Sequence, residues 1–197
     1  MQKDETRRII LASAYSLFGL KGYEKTTMRE LAERADVGLG TIFKHFPDKP
    51  SLLINSFRED IQAIIQNCFN TLPQTNIKMQ LAHVATELYH FLGHNPLFSR
   101  TLIKESLFLQ ENHNELLNVE GLFLIDKIEK LFQDAIDRTE LDPSTDCSTA
   151  ALTCMSFFLL GLIGGLRSSE FDVKKQTLLF ASLLDKHLSS FTKQNNL

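Results

Sequence analysis

The chain has 197 residues, 43% of them hydrophobic and 23% charged, with nine Gly, five Pro and three Cys. That length can bury a full core, and that composition excludes disordered, collagen-like and disulfide-stapled classes. The net charge of −3 is unevenly spread: residues 1–50 carry nine Lys and Arg against seven Asp and Glu, the remainder 12 against 17. A mildly basic head on an acidic body is a weak pointer to a polyanionic partner at one end. Cys68, Cys147 and Cys154 form no CxxC pair and are odd in number, which fits a reducing compartment. The opening QKDETRR holds no apolar stretch of the kind a signal peptide needs, so a cytoplasmic location is expected.

Apolar spacing is helical throughout, with no run of strand-like alternation, so an all-α protein of about nine helices is expected. The first helix spans about 4–20, with Ile10, Ala14, Leu17 and Phe18 on one face and Gly22 as its stop. Thr27 stands three residues before Glu30, a capping-box spacing that opens a short helix to about residue 35. Asp36-Val37-Gly38 turns the chain into a second short helix, 39–45, and Phe46-Pro47-Asp48 ends it. A long amphipathic helix over 50–70 follows, with Leu53, Phe57, Ile61, Ile64 and Cys68 inward. Helices over about 77–94, 97–110, 114–138, 144–167 and 172–192 complete the chain, with Pro96 and Pro143 near two of the starts. This divides the protein into a head, 1–50, and a larger helical body, 51–197.

Two short helices joined by a tight turn and packed on a preceding helix make a helix-turn-helix. A seven-residue helix is poor as core but fits the width of a DNA major groove. Gly38 and Gly40 remove side chains at its amino end, where backbone can approach a phosphate closely. Lys44, His45 and Lys49 cluster beside it.

Residues 7–57 resemble the TetR family of bacterial transcriptional regulators. The resemblance is carried by Leu17-Phe18, Gly22, Thr26-Thr27, Leu31-Ala32, Val37, Gly40-Thr41-Ile42-Phe43, His45-Phe46 and Lys49. It implies a homodimeric repressor whose two heads grip a palindromic operator in double-stranded DNA, and whose body binds a small effector that moves the heads apart. By the same resemblance, Thr27, Thr41, His45 and Lys49 match phosphate-contacting positions. Gly38, Leu39, Thr41, Phe43 and Lys44 lie where base edges are read, and Ile42 and Phe46 lock the helix in place. Phe43 stands where tyrosine is commonest and lacks its phosphate-bonding hydroxyl, while Gly38 replaces a frequent serine. With few polar groups at the helix start, Leu39 is expected to touch a thymine methyl and Lys44 a guanine or a phosphate.

The body carries no motif of its own. Its many phenylalanines favour core packing one by one, yet an apolar effector pocket would draw on some of them, with Phe91, Phe98, Phe108, Phe123 and Phe157 as candidates. The stretch 147–166 holds 20 uncharged residues and is expected to be a buried helix between subunits rather than a membrane span. With the 172–192 helix it would form a two-fold four-helix bundle, Phe158, Gly161, Gly165, Leu179 and Leu183 lying in the seam. His83, Glu87, His90 and His94 share one helical stripe, with a solvated polar face favoured over a metal site. No cofactor is implied, and no catalytic Ser-His-Asp set or phosphate-cradling glycine loop is present, so an enzyme is not expected. The competing reading is a helical ligand carrier without DNA binding.

Overall fold

The structure is a computed structural model that describes residues 2–94, 96–108 and 115–189, with side chains placed for all of these except 2–3, 97, 105–108 and 115–120. Among the described residues there are ten helices and no strand: α1 (Gln2–Lys21), α2 (Met28–Arg34), α3 (Leu39–His45), α4 (Lys49–Ser56), α5 (Arg58–Asn70), α6 (Ile77–His94), α7 (Pro96–Phe108), α8 (Glu115–Asp137), α9 (Cys147–Leu166) and α10 (Val173–Leu188). The all-α expectation holds, and most helix ends fall within three residues of the predicted ones.

Two differences have local causes. The long helix predicted over 50–70 is broken at Phe57, so that ten helices stand where nine were expected. Just before the break, the Asn55 amide donates to the Ser51 carbonyl and the Ser56 hydroxyl to the Leu53 carbonyl. Such side-chain bonds compete with the helical ladder. The helix predicted from residue 144 begins at Cys147. Ser144 and Thr145 turn back onto Asp142, and Asp146 takes over as cap by accepting from the Thr149 amide.

The chain divides into two compact units, residues 1–62 with 97–118, and residues 63–96 with 119–197. In the first, Ile10, Ala14, Leu17 and Phe18 of α1 are all buried as predicted, together with Leu31 of α2, Ile42 of α3 and Leu52 and Leu53 of α4. Phe57 stacks on Phe98 of α7, ring centroids 3.6 Å apart, and Tyr15 leans on it from α1 at 4.7 Å. Gly22 takes a positive φ of 82°, the left-handed geometry that ends α1, and Asp36 does the same at 52° between α2 and α3.

The second unit is built on α6, α9 and α10. Tyr89 of α6 is fully buried and stacks on Phe158 of α9. Phe171, in the α9–α10 connection, lies where side chains at Gly93 and Gly165 would stand, 2.6 Å from the carbon that either would add. Helix α9 is the one described helix long and apolar enough to cross a membrane, and 44% of its most apolar stretch is buried within the chain.

Candidate nucleic-acid interface

Helix α2 is set by a capping box. The Thr27 hydroxyl accepts from the Glu30 amide at 3.2 Å, and the Thr27 amide donates to the Glu30 carboxylate at 3.0 Å. Lys21 adds a 2.6 Å ion pair to the same carboxylate. The Lys21 hydrogen bond, followed by the Thr27 amide, holds the Glu30 carboxyl below its ordinary range. These bonds fix the loop between α1 and α2.

Helix α3 is anchored from one side only. Ile42 is fully buried and Phe46, its cap, almost so. The Arg7 guanidinium lies 5.2 Å over the Phe46 ring and donates to Asn55 at 2.6 Å, tying α1 to both α3 and α4. Gly38 caps α3 without a side-chain bond. The opposite face is open: Leu39, Gly40, Phe43 and Lys44 are exposed, Thr41 and His45 half-buried. Seven of the nine predicted contact residues, Gly38, Leu39, Gly40, Thr41, Phe43, Lys44 and His45, are therefore brought together on α3 and its cap.

The other two are engaged within the chain. Thr27 is exposed but its hydroxyl belongs to the capping box. Lys49 turns its ammonium inward, donating to the Tyr23 carbonyl at 2.9 Å and the Thr26 carbonyl at 3.0 Å, 4.3 Å above the Tyr23 ring. It clamps the loop that leads into α2. Sequence spacing gives no sign of this, because a lysine's long stem can reach outward or inward alike.

In the second unit, an apolar cavity of about 20 Å³ lies among α6, α8, α9 and α10, lined by Leu81, Leu88, Leu124, Cys154, Phe158 and Phe180 among others. Of the five phenylalanines nominated for an effector, none of the four whose side chains are described lines it. Phe91 and Phe157 are half-buried and Phe123 is exposed, whereas Phe98 stacks on Phe57 in the first unit; the Phe108 side chain lies outside the described residues. The signal that could have found the cavity is the stripe Leu81, Val84 and Leu88, spaced three and four apart on α6. Burial pushes the Cys154 thiol up to about 12 and Cys68 to about 11, so both stay protonated.

Of the residues nominated for a dimer seam, Phe158, Gly161 and Gly165 face inward, against Tyr89 or Phe171, while Leu183 is half-buried and Leu179 exposed. The exposed large apolar side chains of α9 and α10 are Leu179 together with Leu152, Leu160, Ile163 and Leu178. His83 is bonded to Thr71 at 2.9 Å, His90 and His94 are exposed, and no metal-holding cluster occurs among the described residues.

Comparison with known proteins adds four findings. The sequence model of bacterial regulatory proteins of the tetR family matches residues 10–55. The HTH-type transcriptional repressor KstR of Rhodococcus jostii is 27% identical over 182 residues, covering 91% of this chain and 82% of that protein. Among solved structures, the transcriptional regulator FadR of Bacillus subtilis in complex with stearoyl-CoA shares the fold at a TM-score of 0.69, with 18% identity over 93% of this chain and 98% of that one. A SmeT–triclosan complex does so at 0.65, with 22% identity, 97% and 93% coverage.

Proposed function

The chain belongs to the TetR family of transcriptional regulators, and from that premise we propose that it is a homodimeric, cytoplasmic repressor that binds a palindromic operator and is released by a small hydrophobic effector. The observation that carries this reading is the open face of α3, with Leu39, Gly40, Phe43 and Lys44 exposed on a helix whose other side is buried through Ile42. Residues 1–50 form the DNA-binding head and 51–197 the effector-binding and dimerising body. Thr41, Lys44 and His45 meet phosphates or base edges, while Thr27 and Lys49 act by holding α2 in place.

Dimerisation is supported by the exposed apolar side chains of α9 and α10, which a second copy would cover about a two-fold axis. Two α3 helices could then enter successive major grooves about 34–36 Å apart. Such a use of α9 involves no membrane. The effector reading draws on the apolar cavity of the second unit, and on the stearoyl-CoA and triclosan named for the FadR and SmeT structures, one with a long acyl chain and the other aromatic. A cavity of about 20 Å³ is far smaller than a drug-sized site, so the effector has to part α6, α8, α9 and α10. That gives it the differential affinity for two conformations which release from DNA demands.

The test is a gel shift of the full-length protein on DNA from upstream of its own gene, with salt titration and an apolar-ligand screen. Specific retention with steep salt dependence is expected. Retention of no DNA, alongside tight binding of an apolar ligand, would favour a carrier instead.

A further inference from the structure

Helix α3 carries features that its own fold does not use. Leu39 and Phe43 stand one helical turn apart on the same face and expose 39% and 47% of their surface. Between them is Gly40, where an added Cβ would meet nothing within 4 Å. Gly38 has a φ of −66°, open to any residue, and a Cβ there would come no closer than 3.7 Å to Thr41. Neither glycine is demanded by conformation or packing, and glycine inside a helix is less stable than alanine. Two large apolar side chains flanking bare backbone are therefore shaped for something outside the chain that comes close and offers apolar groups.

In the major groove, the base edges present donors, acceptors and one apolar group, the C5 methyl of thymine. The cap Gly38 and the first two residues of α3, Leu39 and Gly40, have no side-chain donor or acceptor with which to read the others, and Thr41 is the first residue that has one. We propose that Leu39 and Phe43 recognise thymine by its methyl group, with Gly38 and Gly40 admitting the helix end deep enough for both to reach. This rests on the operator reading above and deepens it. Lys44, exposed beside Phe43, supplies the charge that holds the helix against the phosphates. The base pairs under Leu39 and Phe43 are then T·A in a fixed strand orientation. 5-Methylcytosine, which carries a methyl at the same place in the groove, substitutes there better than cytosine.

The probe is duplex DNA enriched from a random library by the full-length protein, with each thymine replaced in turn by deoxyuridine. That change deletes the methyl and leaves the pairing intact. One or two positions in each half-site are expected to lose about fourfold in affinity, the worth of one buried methyl. Leu39→Ala abolishes the uracil sensitivity at one of them and Phe43→Ala at the other. Gly40→Ala is expected to keep or raise the melting temperature while weakening binding to the same duplex. Uracil tolerated at every position of a tightly bound, enriched duplex would overturn the methyl readout and leave the operator reading standing. Failure to enrich any sequence would overturn both.

Discussion

The Tyr89 hydroxyl donates a 2.9 Å hydrogen bond to the Phe158 carbonyl, and it lies in the space that a side chain at position 161 would fill. Tyr89 is wholly buried, so its hydroxyl has no water to fall back on. Burial also pushes its phenol far above the ordinary range, keeping it a donor at any physiological pH. One helix of the pair gives a carbonyl and the next turn gives a glycine, and together they let α6 and α9 approach.

Gly161→Ala would drive a methyl into the Tyr89 hydroxyl, an overpacking that is expected to cost about 1–3 kcal/mol. Tyr89→Phe removes one buried hydrogen bond and should cost about 1 kcal/mol. In the double variant the clash loses its closest atom, so the combined loss should be smaller than the two single losses added. Urea denaturation of the four proteins measures this directly. Strictly additive losses would show that the glycine and the hydroxyl do not share the space.

Lys44 and Lys49 look equivalent in sequence, two cations near the end of a short helix, but the structure gives them different tasks. Lys44→Ala should weaken DNA binding and reduce the slope of log affinity against log salt by about 1.8, because each dimer loses two phosphate contacts worth about 0.9 apiece. Lys49→Met keeps the stem over the Tyr23 ring but removes the ammonium from the Thr26 carbonyl and from the Tyr23 carbonyl, which keeps its bond from the Thr26 amide. The expected result is a stability loss of about 1–2 kcal/mol, weaker DNA binding and an unchanged salt slope. A reduced slope with unchanged stability would place the Lys49 ammonium on a phosphate instead.

How much of this could be read beforehand follows from what each residue interacts with. The first unit's helices, the capping box of Thr27 and Glu30 and the anchoring by Ile42 and Phe46 depend on near neighbours in sequence, and periodicity reveals them. The break at Phe57 depends on whether Asn55 and Ser56 bond back to the chain, a choice that apolar spacing does not record. The cavity was hidden for another reason. Aromatic residues draw attention as pocket walls, but Phe98 is consumed by its stack on Phe57, while much of the lining is aliphatic. Likewise, glycines in an uncharged helix such as Gly161 and Gly165 suggest close approach by another helix without saying which, and here Tyr89 and Phe171 of the same chain occupy the room they leave.

The outward face of α9 and α10 carries the next prediction. Leu160 and Leu178 are 56% and 61% exposed, and neither serves the core. Burying a leucine of that kind contributes about 1.5–3 kcal/mol, and a two-fold interface uses each twice. Leu160→Glu together with Leu178→Glu should therefore convert a dimer into monomers that retain their helical content. Light scattering with circular dichroism reads both properties. A variant that stays dimeric would put the seam on another surface.

His187 provides a pH dependence whose sign can be worked out. Its ring meets Phe157 edge-on at 5.7 Å, and burial lowers its pKa from the ordinary 6.5. The folded state thus favours the neutral imidazole, whereas the unfolded chain takes up a proton below about pH 6.5. The stability that this group contributes is complete above that pH and is lost as the pH falls through the window beneath it. Comparing urea midpoints at pH 7.5 and 5.5, the native protein should lose more than His187→Gln does over the same interval, since glutamine has no proton to gain. Equal losses in the two proteins would mean that the acid sensitivity of the second unit arises elsewhere.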